Sequence, residues 1–381
     1  MLDSKTWEGV ESLLDNYVAI RSDDSVVIMY TSDSYESAAW VCASLELRHI
    51  SVNRVWMAPL RDDGFQDRLI SALPSPSEFT GRLVVLTFER DTMSYTRTLA
   101  AALSRYEKRR CVVFRAISAS PALFSESLRV LPKDLSARNT AILERCMTAE
   151  QLHIKTRGGT DLKIRIDTKQ YRWIGNRGIA DSGGVIVLPA GEVATFPASI
   201  SGVHVADFAF NVNAITDRDA RLHDYPVTVW IEEGRAVKYH CEDIATSQFL
   251  EDCFRTHCVY NVGELGFGTN FDVTEAVSWN SHINERRPGV HLGFGQHNQD
   301  PGIVSYQCPI HLDLIAKGGI VWIDDDPTPL DLEHIVPSLQ PHPTTPRDED
   351  VFSPDSEELD LDDCCGILTS EGLQLCPQKT Q

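Results

Sequence analysis

Short segments in the second half of the chain place a carboxylate or an imidazole among glycine, proline or apolar residues. Glu192 follows a Pro-Ala-Gly turn, and Glu264 stands between Gly263 and an apolar residue. His291 follows the Pro-Gly-Val stretch 288–290. A carboxylate in apolar surroundings needs a cation, hydrogen bonds or a proton. These positions are therefore candidates for metal ligands, although a glutamate after a glycine is more often only a turn residue.

A fourth segment, 310–315, carries His311 and Asp313 with one residue between them. Side chains on a strand alternate with a period of two, so both would project on one face and Leu312 on the other. An imidazole beside a carboxylate suits a divalent ion. Such a pair alone is more often a surface pair, but four segments of this kind in one region favour a metal site.

Taken together, the five candidates supply three carboxylates and two imidazoles. They are Glu192, Glu264, His291, His311 and Asp313. Such a set can hold two divalent ions with one carboxylate bridging them, and the ions would polarise a carbonyl and activate a water molecule. The sequence thus predicts a divalent metal site in the C-terminal half.

Strand patterns must position these residues. Apolar and polar residues alternate at 152–156 and 162–166 around the turn 158–161, which predicts a hairpin. Further strand candidates are 185–188, 203–211, 227–231, 259–265, 291–294 and 310–315, with one helix at about 244–256. We predict an α+β metal-binding catalytic domain over 151–336, with a curved, mainly antiparallel sheet.

Residues 1–150 alternate strand and helix signals. The strand candidates are 26–30, 52–57, 83–88 and 111–114, and the helix candidates are 35–48, 65–73, 93–106 and 135–149. This pattern predicts an α/β domain with an open, mostly parallel sheet and helices on both faces. Neither a GxGxxG nor a GxxxxGK[ST] motif follows a strand here, which favours a structural or substrate-shaping domain over a nucleotide site.

The residues 337–381 read as an acidic, disordered tail, because 348–363 contain nine acidic side chains and no basic one. The formal net charge of −20 makes binding to nucleic acid or to an anionic membrane unfavourable. The beginning of the chain has neither a basic segment nor an apolar run, so we expect a cytoplasmic protein. Its ten cysteines are expected to be free thiols.

Several other residues have a structural interpretation that competes with a functional one. Cys253, His257 and Cys258 do not have the spacing of a zinc site and are assigned to a helix. Arg286 and Arg287 are interpreted as a solvated turn, with a substrate carboxylate as the alternative partner. Four further histidines are expected to be structural or at the surface: His204, His223, His240 and His282.

The candidate segments also resemble a known family. PAGEV (189–193), ELGFGTN (264–270), HLGFG (291–295) and PIHLD (309–313) are similar, in this order, to the metal-binding segments of the aminopeptidase T family. The resemblance is clearest over 185–323. It implies two bound ions such as zinc, cobalt or manganese, and a homodimer around an internal cavity.

In that family the five matching residues bind the metal ions, and the glutamate of the ELGxGTN segment bridges them. The resemblance therefore gives the bridging and water-activating role to Glu264. The family's catalytic tyrosine, seven residues after the HxxxG histidine, corresponds to Asn298 here. Tyr306 or His297 would then have to supply the missing hydrogen bond to the transition state.

The same superfamily includes 2,5-dihydroxypyridine 5,6-dioxygenases, which hold one iron with two histidines and one aspartate, and His311-x-Asp313 resembles their segment. Three functions stay open. The first is a metal-dependent hydrolase that cleaves an N-terminal peptide or small amide bond. The second is an iron-dependent ring-cleaving dioxygenase of small-molecule metabolism. The third is a pathway protein that binds a peptide and has lost peptidase activity.

Overall fold

The computed structural model describes residues 3–77, 80–90, 93–179, 184–300, 302–343, 366–369 and 372–375. Its α-helices are α1 (Ser4–Ser12), α2 (Tyr35–Leu47), α3 (Phe65–Ala72), α4 (Thr96–Leu103), α5 (Pro132–Cys146) and α6 (Ile244–Phe254). Shorter helical turns span Leu13–Tyr17, Ser32–Ser34, Lys108–Arg110, Leu123–Ser127, His257–Tyr260 and Asn284–Arg286. None of the helices in this part of the chain is long and apolar enough to cross a lipid bilayer.

The strands of the first half and its junction are β1 (Ser25–Tyr30), β2 (Val52–Trp56), β3 (Leu83–Phe88), β4 (Cys111–Ala116), β5 (Gln151–Lys155), β6 (Asp161–Arg165), β7 (Trp173–Asn176) and β8 (Gly184–Leu188). Those that follow are β9 (Glu192–Thr195), β10 (Ser199–Ala206), β11 (Ala209–Val212), β12 (Ala214–Ile215), β13 (Val227–Glu232), β14 (Arg235–His240), β15 (Val262–Gly268), β16 (Gly289–Gly295), β17 (His311–Ile315), β18 (Ile320–Ile323), β19 (Leu330–Asp331), β20 (Gly366–Thr369) and β21 (Gly372–Leu375).

The first half of the chain builds a parallel sheet in the order β2-β1-β3-β4-β8. β1, β3 and β4 are buried on both faces, whereas the edge strand β2 is largely exposed. Val26 and Ile28 of β1 belong to one apolar cluster, together with residues of α1 and α2. Val27 and Met29 belong to another, together with residues of α3 and α4. Alternate side chains thus meet helices on opposite faces, which confirms the predicted α/β part with a parallel sheet.

The fifth strand of this sheet was not expected there. The sequence pattern assigned 185–188 to the second domain, but β8 pairs in parallel with β4. The continuous apolar run Gly-Val-Ile-Val-Leu is typical of a buried parallel strand, and its position after residue 150 concealed this. The chain therefore returns to the first sheet before it enters β9, and the domain division at residue 150 stays a prediction.

The second half contains two antiparallel sheets where a single one was predicted. One has the order β14-β13-β10-β6-β5-β18-β19, and the other has the order β11-β17-β16-β15-β9-β7. Both contribute to one apolar cluster, which also includes Phe249, Leu250 and Phe254 of α6. The alternating pattern of each strand predicts one buried face, but it does not say which strands share a sheet.

Part of the acidic tail forms strands. β20 and β21 pair as an antiparallel hairpin, and β20 pairs in parallel with β12. For these eight residues the structure differs from the predicted disorder, because their main-chain groups extend an available strand edge. The acidic stretch 348–363 and the tail cysteines lie outside the described residues.

The cysteines do not all have free thiols. Cys258 and Cys308 form a disulfide that links the turn after α6 to the loop before β17. Cys253 lies buried in α6 as a free thiol, and burial raises its pKa. The assignment to the long helix thus holds for Cys253, whereas His257 and Cys258 lie in the short helical turn after it.

The core face of the second antiparallel sheet should dominate local stability. Leu292 is fully buried between Leu265 and Leu314 on the adjoining strands. We expect Leu292→Ala to lower the free energy of unfolding by about 2–5 kcal/mol, measured by urea denaturation. Leu339→Ala, at a side chain that is 99% exposed, is the control and should change it by less than about 0.5 kcal/mol. Equal effects of the two substitutions would contradict the packing described here.

Candidate metal centre

Each of the five candidate ligands lies directly opposite a glycine on a neighbouring strand. The pairs are Glu192 with Gly268, Glu264 with Gly293, His291 with Gly266, Asp313 with Gly293, and His311 with Gly295. Opposed residues of antiparallel strands project on the same face of the sheet. The four adjacent strands β9, β15, β16 and β17 therefore place all five polar side chains over a surface of glycines.

The alternation within β15 shows how one strand serves two purposes. Glu264, Gly266 and Gly268 lie on the face of the candidate site, because side chains alternate along a strand. Leu265 and Phe267 point to the other face and are fully buried in the apolar cluster. In β16, the motif HLGFG repeats the same alternation. Alternate residues of each motif therefore form a polar face that carries the candidate site and an apolar face that packs in the core.

A bulge sets the phase of this alternation. The pairing of β15 with β16 shifts between Val262 and Glu264, so Gly263 is the additional residue. Without it, Val262 and Glu264 would share a face. A Cβ at position 263 would lie 2.5 Å from the carbonyl oxygen of Gln296, which excludes a larger residue. The bulge allows Val262 to join the core while Glu264 turns to the opposite face.

The glycines leave the space that the ligand side chains occupy. A Cβ at position 266 would overlap the ring of His291. A Cβ at position 293 would lie 2.7 Å from the His311 ring and 2.8 Å from Cβ of Glu264. Gly266 and Gly293 are thus explained by the close approach of ligand side chains across the strands. A Cβ at Gly268 or Gly295 would instead meet the main-chain oxygen of Arg287 or Ile310.

Two groups of potential ligand atoms result, each within 4.8 Å. One consists of Glu192, Glu264 and His291, and the other of Glu264, His311 and Asp313. Among the described residues, these are the groups with the composition and spacing for a metal ion. Glu264 belongs to both groups, and its bridging role stays a prediction.

The orientation of His311 is fixed by the main chain. Its Nδ1 lies 2.9 Å from the carbonyl oxygen of Gln296, which can only accept, so Nδ1 carries the hydrogen. Nε2 then faces Asp313 Oδ1 at 3.0 Å. In the neutral tautomer this brings a lone pair against a carboxylate oxygen. Such a pair needs a cation or a proton between its members, and metal-bound histidines have the same outer contact to a carbonyl.

His291 lies between two carboxylates. Its Nε2 is 2.9 Å from Glu192 Oε1 and 3.5 Å from Glu264 Oε1. The direction of these approaches does not suit hydrogen bonds, since neither ring nitrogen has a hydrogen-bond partner among the described residues. Burial lowers the pKa of His291, but the contacts with both carboxylates raise it well above its ordinary value. The surroundings therefore attract positive charge to this position.

The pKa values of the carboxylates also show that positive charge is favoured in this cluster. Burial raises the pKa of Glu192, but Arg286 and His291 outweigh it and lower the pKa to about 2. Burial also raises the pKa of Asp313, and the neighbouring His311 and His291 lower it below its ordinary range. Asp313 Oδ1 is buried without a hydrogen-bond partner among the described residues. Oδ1 of Asp313 and the ring nitrogens of His291, which lack hydrogen-bond partners among the described residues, are atoms of the kind that bind a divalent ion.

A second layer of polar side chains contacts the ligands. Arg286 contacts Glu192 through Nη1 and lies 3.0 Å from Glu285 through Nη2. Asn211 donates from Nδ2 to Glu285 at 3.0 Å and to Asp313 at 3.3 Å. Burial, partly opposed by the charge of Arg286, raises the pKa of Glu285 well above its ordinary value. This layer holds two of the ligand carboxylates in place.

The interpretation of Arg286 as part of a solvated turn is wrong, because the residue is 4% exposed and paired with two carboxylates. Arg287 donates to the Thr274 carbonyl and packs over Phe208. Burial is the main cause that lowers the pKa of His282 to about 4. No spacing in the sequence marks these residues.

Asn298 reaches the site, as its position in the motif implies. Its Nδ2 donates to Glu264 Oε2 at 3.0 Å, and its Oδ1 accepts from Gln299 at 2.6 Å. The other candidates differ. His297 contacts the Tyr306 carbonyl through Nε2 and the Gln299 main-chain nitrogen through Nδ1. The Tyr306 hydroxyl has no hydrogen-bond partner among the described residues, so it makes no hydrogen bond to a candidate metal ligand among them.

The glycine surface generates a first prediction. Gly266→Ala should lower the free energy of unfolding by about 1–3 kcal/mol, because the added methyl overlaps the His291 ring on the site face. Gly64→Ala is the control, since its methyl meets only the flexible end of Arg68, and it should cost less than about 1 kcal/mol. Denaturant titration measures both. A Gly266→Ala protein as stable as the wild type would contradict the proposed steric role.

A second prediction from this region concerns the buried His204, whose Nε2 lies 2.8 Å from the Leu314 carbonyl oxygen. Burial lowers its pKa from 6.5 to about 4. As the pH falls below 6.5 the unfolded chain takes up this proton first, so stability is lost between pH 6.5 and 4 by up to about 3 kcal/mol. Unfolding titrations across this range should show a smaller loss in His204→Gln. The exposed His240→Gln should retain the wild-type dependence, and an identical slope in all three would refute the assignment.

Comparison with known proteins places this geometry in context. A family model described as crocagin biosynthetic protein CgnE/B matches residues 198–318, which is 121 of 381 residues. The matched segment contains every candidate ligand except Glu192. None of the curated proteins compared with the chain matches it.

Two solved structures share the fold. The 2,5-dihydroxypyridine dioxygenase from Pseudomonas putida KT2440 aligns with a TM-score of 0.61 at 16% identity, over 87% of this chain and 96% of that one. Wild-type AmpT from Thermus thermophilus aligns with a TM-score of 0.51 at 13% identity, over 86% of this chain and 97% of that one. The resemblance read from the sequence is thus supported as a distant likeness of fold to both enzymes.

Proposed function

We propose that this chain is a metal-dependent hydrolase that cleaves an amide bond in a peptide or small amide. The observation that carries the proposal is the position of Glu264, which belongs to both groups of candidate ligands in one buried cluster. Hydrolysis by a metal site requires oxygen and nitrogen ligands for a divalent ion, together with a carboxylate that can take a proton from water. The cluster contains both.

A divalent ion bound here would supply a Lewis acid and lower the pKa of a water molecule. The ligands would come from Glu264, His311 and Asp313, with His291 and Glu192 beside them. Glu264 would accept the proton of the attacking water. Asn298 holds one oxygen of Glu264 by a hydrogen bond and leaves the other directed at the cluster.

The exposure of the ligands indicates where a substrate would enter. The side chains of His311, Glu192 and Glu264 are 20%, 15% and 10% exposed, whereas those of His291 and Asp313 are each 1% exposed. His311 is thus the most exposed of the candidate ligands. A substrate carbonyl would approach from the side of His311.

An iron-dependent dioxygenase is the second candidate. It is favoured by the fold shared with 2,5-dihydroxypyridine dioxygenase and by Asn298 at the position of the peptidase tyrosine. Two imidazoles and a carboxylate would hold one Fe(II) and leave positions for oxygen and substrate. Oxygen uptake after anaerobic loading with Fe(II) would distinguish this reaction from hydrolysis.

The family model that matches 198–318 is named for a biosynthetic protein, which supports a role in a biosynthetic pathway for either activity. It also favours the third function, a pathway protein that binds a peptide without cleaving it. A cytoplasmic location and a homodimer remain parts of the proposal. Size-exclusion chromatography with light scattering tests the dimer.

Removal of one ligand tests the proposal. Asp313→Asn should lose the bound zinc, cobalt or manganese and reduce hydrolysis of N-terminal peptide amides at least 100-fold, because it removes the charge that faces His311. Metal analysis and a substrate screen of each metal form measure the two effects. Asp325→Asn, at an exposed acidic residue outside the cluster, is the control and should retain both.

Metal bound with unchanged affinity by Asp313→Asn would refute the site. Metal binding by the wild type without turnover of any amide, in any metal form, would refute the hydrolase and leave the oxygenase and the binding protein.

A further inference from the structure

Arg286 is held where a cation is needed. Its Nε donates to the Pro189 carbonyl at 2.9 Å, Nη1 contacts Glu192, and Nη2 lies 3.0 Å from Glu285. The main-chain oxygen of Arg286 accepts from Asn270 at 2.8 Å. With 4% of its surface exposed, the residue cannot turn towards solvent without breaking these contacts. The guanidinium is therefore a fixed part of the cluster.

One oxygen of Glu192 is already engaged. Oε2 contacts Arg286, whereas Oε1 faces His291 Nε2 at 2.9 Å without a hydrogen bond. A divalent ion bound through Glu192 would have to share this carboxylate with a guanidinium that is charged at all accessible pH values. Like charges held this close in a buried site repel strongly. The group of Glu192, Glu264 and His291 is therefore a poor site for an ion.

The other group has no such competitor. Asp313 Oδ1 is buried without a hydrogen-bond partner among the described residues and faces His311 Nε2. The outer nitrogen of His311 and the outer oxygen of Asp313 are held by Gln296 and Asn211. This arrangement directs one nitrogen and one oxygen at a common point, with Glu264 as the third ligand.

We propose that Arg286 takes the place of a second metal ion, so that the cluster binds one divalent ion through Glu264, His311 and Asp313. This inference rests on the metal site proposed above and specifies how many ions it holds. Glu192 is then the counter-ion of Arg286 and the support of His291, and not a ligand. Arg286 is a positioning residue that fixes the metal stoichiometry.

The experiment measures bound metal in the full-length protein. The wild type, Arg286→Gln, Arg287→Gln and Glu192→Gln are loaded separately with excess Zn²⁺ or Co²⁺, desalted, and measured by plasma mass spectrometry. We expect one equivalent in the wild type and two in Arg286→Gln, where the competing cation is gone. The adjacent Arg287 does not contact Glu192 in the described structure, so Arg287→Gln should bind one equivalent.

Glu192→Gln keeps the inference testable if Arg286→Gln does not fold. One equivalent in Glu192→Gln supports the inference, because Glu192 is then not a ligand, and a loss of the wild-type ion overturns it. Two equivalents in the wild type overturn the role of Arg286 but leave the proposed hydrolase intact. One equivalent in a folded Arg286→Gln also overturns it. A wild type that binds no metal overturns both the inference and the proposed function.

Discussion

The candidate site depends on one steric constraint: wide polar side chains stand on a sheet where their cross-strand neighbours have no side chain. Strands lie about 4.8 Å apart, which is too close for a glutamate or histidine to bend over a neighbouring Cβ. A Cβ at Gly266 or Gly293 would meet ligand atoms, so these positions accept only glycine. The apolar residues between the glycines face the core, and their packing must provide the stability that the glycines do not.

A surface that gathers three carboxylates away from solvent is electrostatically unfavourable unless positive charge accompanies them. The structure shows two sources of that charge within the chain, the guanidinium of Arg286 and the imidazoles of His291 and His311. The Gln296 carbonyl accepts from Nδ1 of His311, and the Asn298 amide donates to Glu264. Against the effect of burial, contacts with Arg286 and His291 lower the pKa of Glu192, and those with His311 and His291 lower the pKa of Asp313. The neighbouring carboxylates in turn raise the pKa values of His291 and His311, again against the effect of burial.

The sequence predicts the parts of this site that follow from local periodicity. Alternation within β17 predicts that His311 and Asp313 share a face, and neighbouring glycine or proline residues mark Glu192, Glu264 and His291. All five lie in two groups that share Glu264. Alternation does not predict which strands become neighbours, and so the place of β8 in the parallel sheet was missed. Arg286 was misjudged for a related reason. A run of charged residues before Pro288 looks like a solvated turn, and only tertiary packing of that turn against Pro189 and Glu192 buries it.

The same geometry explains why the position of the candidate ligands does not by itself determine the reaction. The glycine surface and the bulge at Gly263 determine where the ligand atoms lie, and they are compatible with hydrolysis or with oxygen chemistry. What differs between such reactions is the group that meets the transition state, and here that position belongs to the loop after β16. Asn298 uses its amide to hold Glu264, so it orients a ligand and has no phenolic proton to donate. In the proposed hydrolase, charge on a substrate oxygen would therefore be stabilised by the ion or by a side chain near His311. The identity of the ion would then decide between hydrolysis and oxygen chemistry, because both neighbouring enzymes share the fold.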